Sequence, residues 1–127
     1  LNSTVATYIY IEYILNLQQV QRRASMFVRM SYWKCLPSYW GEDIKLFEAG
    51  AIKIMQRHDG FVRAMLLAIP GETQRIAFTT WETPESYANF VKSPDLQKII
   101  EMFEHMYEEG GSPSPIEYEV RAQGSAL

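Results

Sequence analysis

The sequence has little of several features that would define a class of function. Its single cysteine, Cys35, excludes an internal disulfide, and together with two histidines it does not form a pattern with zinc-ligand spacing. The 15 acidic residues outnumber the 12 basic ones, so the net charge is −3 and a basic footprint for nucleic acid is absent. Its apolar runs are too short to span a bilayer. We therefore expect no metal site, no nucleic-acid partner and no membrane span.

Aromatic residues, in contrast, are abundant. They make up 13% of the 127 residues, with 8 Tyr, 6 Phe and 3 Trp, whereas the hydrophobic fraction of 47% and the charged fraction of 21% are ordinary for a globular chain. The length is typical of one domain. Such an aromatic excess is found in packed cores and in aromatic pockets, so it makes a small aromatic molecule a candidate ligand.

Residues 1–25 are predicted to form an extension ahead of the folded unit. Apolar residues share one helical face at Val5, Ile9, Tyr13 and Leu17. The run YIYIEYI also fits a strand, because β-branched and aromatic residues favour extended chain. A signal sequence is not favoured, since the positive charges follow the apolar stretch and Glu12 interrupts it. We expect an N-terminal helix and a cytoplasmic protein.

From residue 26 onward the pattern alternates between strands and helices. Strands are predicted over 26–34, 61–69, 74–81 and 116–121. A helix is predicted over 42–58, ended by Asp59-Gly60, with an apolar stripe at Ile44, Phe47, Ala51, Ile54 and His58. Two more helices are predicted, each with a capping hydroxyl residue followed by proline. One starts at Thr83 and is expected to reach about Lys92, and the other starts at Ser93 and is expected to reach about Glu109.

This order, β-α-β-β-α-β, predicts an α+β fold of the ferredoxin-like type. Its four strands would form one antiparallel sheet with both helices on one face. The predicted domain covers residues 26–122, and residues 123–127 form a C-terminal tail.

The predicted strands are apolar on both faces, which bears on assembly. The first strand has Phe27 and Trp33 on one face and Val28, Met30 and Tyr32 on the other. The second has Phe61, Met65, Leu67 and Ile69 on one face and Val62, Ala64, Leu66 and Ala68 on the other. Because helices can cover only one side, we expect a homodimer in which two sheets pack face to face.

The run TTWETPESYANF around Trp81 resembles a known family. Together with His58-Asp59-Gly60-Phe61 and the closing strand, it makes residues 26–122 similar to the antibiotic-biosynthesis monooxygenase domain, a dimeric α/β barrel. Some members oxidise aromatic polyketide phenols to quinones with O₂ and no bound metal or flavin. The resemblance thus implies a homodimer and a cofactor-independent monooxygenase acting on an aromatic phenol or quinol. The alternative is a non-catalytic small-molecule-binding or stress-responsive barrel.

The resemblance also implies site residues. Trp81 and Tyr87 match the six-residue spacing of a Trp and a Tyr that line the pocket of those enzymes. The family's asparagine, four residues before the Trp, is Ala77 here, and its arginine on the second helix falls near Ile100 or Glu101. These departures favour the non-catalytic alternative. Packing alone would also explain both aromatic residues.

His58 is the third catalytic candidate. It ends the first predicted helix of the domain on the apolar stripe, and an imidazole titrates near neutral pH, so it can accept a proton at the mouth of a pocket. The simpler interpretation is a favourable charge at a helix C-terminus.

The candidates for substrate binding are Tyr32, Trp33, Phe90 and Arg29. Of Tyr32 and Trp33, only one faces the pocket side, because neighbours on a strand point to opposite faces. Arg29, Arg63 and Arg75 either hold an anionic substrate or pair with the acids of the last strand, Glu117 and Glu119.

Overall fold

The computed structural model describes residues 3–24, 26–109 and 115–126. The strands are β1 (Phe27–Lys34), β2 (Phe61–Ala68), β3 (Gln74–Trp81) and β4 (Ile116–Glu119). The helices are α1 (Ser3–Ala24), α2 (residues 42–55), α3 (Pro84–Lys92) and α4 (Pro94–Phe103), with short 3₁₀ turns at Pro37–Tyr39 and Glu104–Met106. The predicted element order is therefore confirmed.

The four strands form one antiparallel sheet in the order β2-β3-β1-β4. The hairpin β2–β3 lies at one edge and β4 at the other, with β1 inside. Helices α2, α3 and α4 cover one face, where Phe27 and Trp81 join the core with residues of all three helices. The predicted ferredoxin-like fold class is confirmed.

The strand register decides which side chains meet the helices. β1 pairs with β3 so that Phe27 lies opposite Trp81 and Ser31 opposite Ala77, and these odd-numbered positions face the helices. On β2, the register shifts between Phe61 and Arg63. This bulge brings Phe61 onto the helix side together with Ala64 and Leu66. The expectation that Phe61 shares a face with Met65 was wrong, because a bulge breaks the two-residue alternation.

The buried stripe of α2 agrees with the predicted one at Phe47 and Ala51 and differs from it toward both ends of the helix. It consists of Asp43, Phe47, Ala51 and Met55, at regular steps of four, whereas Ile44 is 41% exposed. The helix runs through α-helical Glu42–Leu46, π-helical Phe47–Ala51 and α-helical Ile52–Met55. A π turn has more residues per turn than an α turn, so a four-residue step keeps one face toward the core through the middle of α2.

Two glycines allow the close contacts of α2. A Cβ on Gly50 would clash with the terminal methyl of Met102 on α4, so these two helices pack closely at this point. Gly60 has φ +81° and would clash with Ser86 of α3 if it carried a side chain. The predicted left-handed cap after α2 is therefore confirmed, and it also allows α3 to approach.

The starts of α3 and α4 follow the predicted signals, but the end of α4 does not. Thr83 Oγ1 accepts a hydrogen bond from the Ser86 N–H at 3.1 Å, and Ser93 Oγ accepts one from the Asp95 N–H at 3.3 Å. Helix α4 ends at Phe103, and after a 3₁₀ turn Tyr107 forms an isolated antiparallel bridge with Cys35. The predicted extension to Glu109 was wrong, because pairing next to β1 replaces the last helical turn.

The N-terminal segment is helical, as expected. Within residues 3–15 most large apolar side chains are exposed, with Tyr8, Tyr10 and Tyr13 at 63%, 65% and 59%. Within the part of the chain that the structure describes, no helix combines the length and apolar character needed to cross a bilayer.

Candidate functional site

A cavity of about 310 Å³ lies between the helices and the sheet. Its floor is formed by the helix-facing residues of β1 and β3, and its walls come from α2, α3 and α4. The volume is near the lower end of the range for small-molecule pockets, roughly 300–1,000 Å³. The cavity is therefore a candidate site for a small organic molecule.

Apolar side chains form most of the cavity wall. They come from all three helices and from the sheet, and they include Phe47, Ala51, Met55, Leu66, Ala77, Phe90, Leu96, Ile99, Ile100 and Phe103. Ala77 and Ile100 are informative, because the family's asparagine and arginine were predicted to be missing near these positions. Both positions do line the cavity, so these walls carry methyl and methylene groups instead of hydrogen-bonding ones.

One polar corner of the cavity is formed by Arg29 and Tyr87. The guanidinium carbon of Arg29 lies 5.5 Å from the centre of the Tyr87 ring. Burial raises the pKa of the Tyr87 phenol, the Arg29 charge lowers it by a smaller amount, and Glu117 on β4 raises it. The phenol therefore keeps its proton at neutral pH and can donate a hydrogen bond.

The second polar region lies where Tyr107 meets a buried ion pair. Arg75 Nε donates to Asp43 Oδ2 at 2.9 Å, and the Tyr107 hydroxyl lies 3.5 Å from the same oxygen. Burial, and then the Asp43 charge, raises the pKa of Tyr107. The same two effects raise the pKa of the Cys35 thiol to about 11. Tyr107 is thus a neutral side chain facing the cavity, and Cys35 is held as a thiol.

Trp81 lies behind the cavity wall. It is fully buried, and its indole N–H donates to Thr79 Oγ1 at 3.1 Å. Its ring stacks on Phe90 at 4.9 Å and meets Tyr87 edge-on at 6.0 Å, and these two side chains are the ones that line the cavity. Trp81 therefore holds Tyr87 and Phe90 in place, and its catalytic role stays a prediction.

His58 bonds to Asp95 and is separated from the cavity by Phe90. Its Nε2 lies 2.8 Å from Asp95 Oδ2, which ties the turn after α2 to the first turn of α4. Its ring meets the Phe90 ring edge-on at 4.9 Å, and it is not among the residues of the cavity wall. The pKa of Asp95 is lowered, and the hydrogen bond from His58 is the largest cause. A catalytic role for His58 stays a prediction.

The remaining candidates divide between the two faces of the sheet. Trp33 lines the cavity, where its indole N–H donates to Ser31 Oγ at 3.0 Å and its ring lies 5.5 Å from that of Tyr107. Tyr32 is paired with Ile76 on the opposite face. Phe90 and Arg29 both line the cavity. The structure thus brings together Arg29, Trp33, Tyr87 and Phe90, and leaves Tyr32 apart from them.

The three arginines have different environments. Arg75 is 4% exposed and binds Asp43 on α2, not an acid of β4 as one alternative expected. Arg63 lies on the outer face, opposite Thr80. Arg29 is opposite Glu117 in the β1–β4 register, but in the described part of the chain the two do not form an ion pair. The cavity therefore contains one guanidinium from the sheet.

Sequence reasoning missed four polar residues of the cavity, Ser31, Thr79, Glu104 and Tyr107. Ser31 and Thr79 share the helix-facing parity of Arg29, so the two-residue period of β1 and β3 would have found them. Tyr107 was assigned to a helix, and only its bridge to Cys35 brings it to the cavity. Within the described residues, no three His, Cys, Asp or Glu side chains are grouped as metal ligands would be.

Comparison with known proteins gives matches among solved structures. No family model and no curated protein sequence matches the chain. The monooxygenase from the ActVA-Orf6 gene of Streptomyces coelicolor, solved with nanaomycin D, superposes with a TM-score of 0.65 at 20% identity, over 84% of this chain and 94% of that one. SnoaB, a cofactor-independent oxygenase from Streptomyces nogalater, gives 0.63 at 14% identity over 79% and 97%.

A third match has no activity in its description. It is a conserved protein from Methanosarcina mazei, with a TM-score of 0.66 at 10% identity, over 79% of this chain and 97% of that one. At these identities the similarity shows the fold alone. The fold that the sequence resemblance implied is therefore confirmed, and it is one that cofactor-independent oxygenases use.

Proposed function

We propose that the protein is a cofactor-independent monooxygenase that oxidises a small, electron-rich aromatic phenol or quinol inside the cavity. The observation that carries this proposal is the aromatic cavity between the helices and the sheet, with a polar corner made by Tyr87 and Arg29. The fold that the chain shares with cofactor-independent oxygenases supports the reaction class. The substrate would be its own reductant, so the protein need only bind, orient and shield it.

The reaction can be balanced without a metal or flavin. A phenol that carries hydrogen on the ring carbon para to its hydroxyl loses the hydroxyl proton and gives a phenolate, an aromatic enolate, that transfers electrons to O₂ as O₂ bonds to that para carbon. One oxygen atom forms the new carbonyl with that carbon, and the other leaves as water with the two hydrogens. The substrate loses four electrons, and O₂ accepts all four.

Tyr87 is the residue that we assign to the reacting oxygen. Because burial raises its pKa, it stays protonated and can donate to the enolate oxygen, which becomes more negative as the substrate loses its proton. Phe27 and Trp81 pack against its ring, with ring centres 5.3 and 6.0 Å away. His58 is assigned a positioning role. Its bond to Asp95 links the turn after α2 to the first turn of α4, and its ring packs against Phe90, which lines the cavity.

Oxygen uptake with a panel of anthrones and quinols tests the proposal. Tyr87→Phe removes only the hydroxyl, and we expect its kcat to fall by about 10²-fold, the smaller end of what a positioned proton donor contributes. Tyr39→Phe is the control, because Tyr39 packs on His105 and is not part of the cavity wall. Equal rates for both variants and the wild type, or no oxygen uptake with any compound, would contradict the proposal.

The second candidate is a non-catalytic small-molecule-binding barrel. Ala77 and Ile100 favour it, because the cavity has apolar groups where the resemblance places an asparagine and an arginine. Titration calorimetry with the same panel separates the two functions. Tight binding without oxygen uptake supports the barrel that only binds.

We also propose that two copies pair through the uncovered face of the sheet. Leu67, Ile116 and Tyr118 on this face are 38%, 45% and 45% exposed, and Phe78 and Met65 lie between them in the register. Burial of such a patch would favour association. Light scattering should give about twice the chain mass of 14.7 kDa, and Phe78→Glu should return it to the monomer value. A monomer mass for the wild type at micromolar concentration would contradict the proposal.

A further inference from the structure

We infer that the substrate carries a carboxylate next to its aromatic ring, and that Arg29 binds this group. The inference rests on the proposed function in taking the cavity as the substrate site, and it deepens that proposal by naming the substrate class. It depends on one side chain, Arg29, which carries a positive charge at the cavity and forms no ion pair with an acid in the described residues.

Arg29 lies at the cavity without an acidic partner. Its side chain is part of the cavity wall, and in the described residues no carboxylate is within ion-pair distance of it. Its Nε is shielded from solvent and has no hydrogen-bond partner among the described residues. A shielded guanidinium donor that is not paired is costly, so it needs an explanation, and a bound anion would supply one.

The other arginine at the core shows what a paired guanidinium looks like in this fold. Arg75 is bound through Nε to Asp43, and its Nη1 donates to the carbonyl oxygen of Glu72 at 2.8 Å. Arg29 instead lies beside Tyr87, with its guanidinium carbon 5.5 Å from the ring centre, and its side chain hydrogen-bonds to the Tyr87 phenol. A cation over an aromatic ring compensates for only part of the lost hydration. The guanidinium therefore retains donors for an incoming group.

The acids around Arg29 do not neutralise it. Glu117 faces it across the β1–β4 register, but it is exposed, and its charge raises the pKa of Tyr87. Glu104 lines the cavity and is also exposed, on the 3₁₀ turn after α4. Because a planar guanidinium matches a carboxylate in a two-bonded fork, the ligand group that best completes this corner is a carboxylate.

A carboxylate fits better than an ionised phenol. A carboxyl group with an ordinary pKa near 4 is charged at neutral pH, whereas a phenol with a pKa near 10 is not. Elsewhere on the cavity wall, Ala77 and Ile100 present only apolar groups. The ring would lie against the apolar walls, and its carboxylate would lie at Arg29, next to the Tyr87 hydroxyl.

The test compares a charged and a neutral form of one ligand. Calorimetry with 1-hydroxy-2-naphthoate and 1-hydroxy-2-naphthamide should show at least about tenfold tighter binding of the carboxylate by the wild type, which is the lower range for a hydrogen bond to a charged group. In Arg29→Gln the preference should fall to within about twofold, while the amide binds as before. Arg57→Gln, an exposed arginine after α2, is the control and should keep the wild-type preference.

Other results would overturn the inference. A wild type that binds acid and amide equally would overturn it without any variant, so a poorly folded Arg29→Gln cannot hide the answer. An Arg29→Gln variant that still prefers the carboxylate over the amide would also overturn it. So would an Arg29→Gln variant in which only the mass of the assembly changes, because Arg29 would then stabilise the interface between copies. Oxygen uptake is measured with both ligands: carboxylate preference without uptake refutes only the oxygenase, and uptake without preference refutes only the carboxylate site.

Discussion

Replacing Arg75 with methionine should strongly destabilise the fold, because it leaves the Asp43 carboxylate buried without its partner. The two side chains are 5% and 0% exposed, and Nε and Oδ2 are 2.9 Å apart. Removing one member of a buried pair costs about 3–5 kcal/mol, a large part of the roughly 5–15 kcal/mol that stabilises an ordinary domain.

The structure supports the upper part of that range. Arg75 also donates through Nη1 to the carbonyl oxygens of Glu72 and Gln74, at 2.8 and 3.3 Å, and its guanidinium lies over the Trp40 ring. One substitution therefore releases the β2–β3 turn, the start of α2 and the Trp40 contact together. For a chain of this length, 3–5 kcal/mol corresponds to a fall in Tm of roughly 10–20 °C.

Urea denaturation followed by circular dichroism measures the effect. Arg121→Met is the control, because Arg121 pairs with Glu119 at the surface, where the side chains are 84% and 64% exposed and such pairs contribute little. The double variant Asp43→Leu with Arg75→Met should recover much of the loss, since it removes the buried charge as well. A single variant that is no less stable than Arg121→Met would refute the reasoning.

Three further predictions concern the cavity, the His58–Asp95 pair and the thiol. Ala77→Phe should fill the cavity floor and abolish ligand binding in calorimetry while the far-ultraviolet dichroism is unchanged; undiminished affinity would place the ligand elsewhere. Because the folded-state pKa of Asp95 is lowered, its contribution to stability should be present above the ordinary carboxyl value of 3.8 and be lost as the pH falls below it. The difference in unfolding free energy between wild type and Asp95→Asn, followed against pH, checks this sign, and a difference that grows toward low pH would contradict it. Cys35, fully buried and with a pKa of about 11, should react with iodoacetamide at pH 8 only after unfolding in urea, and equal labelling of the native protein would show that the site opens.

Much of the fold was predictable because its signals are local. Thr83 and Ser93 cap helices through their own hydroxyl oxygens, and Gly60 adopts φ +81° where the sequence predicted a left-handed cap. These interactions lie within a few residues, so they are visible in the chain. The end of α4 was not predictable in this way, since Tyr107 pairs with Cys35, which is 72 positions earlier in the sequence.

The candidate site was predictable only in part. Parity along β1 put Arg29 and Trp33 on the same face but did not say which face lines the cavity, whereas the spacing of the family resemblance placed Tyr87 at the pocket, where it is found. His58 was predicted at a pocket mouth, but Phe90 lies between it and the cavity. Which of two neighbouring side chains reaches a cavity depends on the packing of helices that come from distant parts of the chain.

The sequence by itself determined the order of elements, the helix starts and the apolar character of both sheet faces, because periodicity and capping act over a few residues. Only the tertiary structure decided that Arg75 is neutralised by Asp43 while Arg29 remains without an acidic partner in the described chain. Both arginines occupy helix-facing positions in β-strands, so the sequence presents them as equivalent. The difference arises because α2 brings a carboxylate to one of them, and a charge is paired or unpaired by distance in space, not by position in the chain.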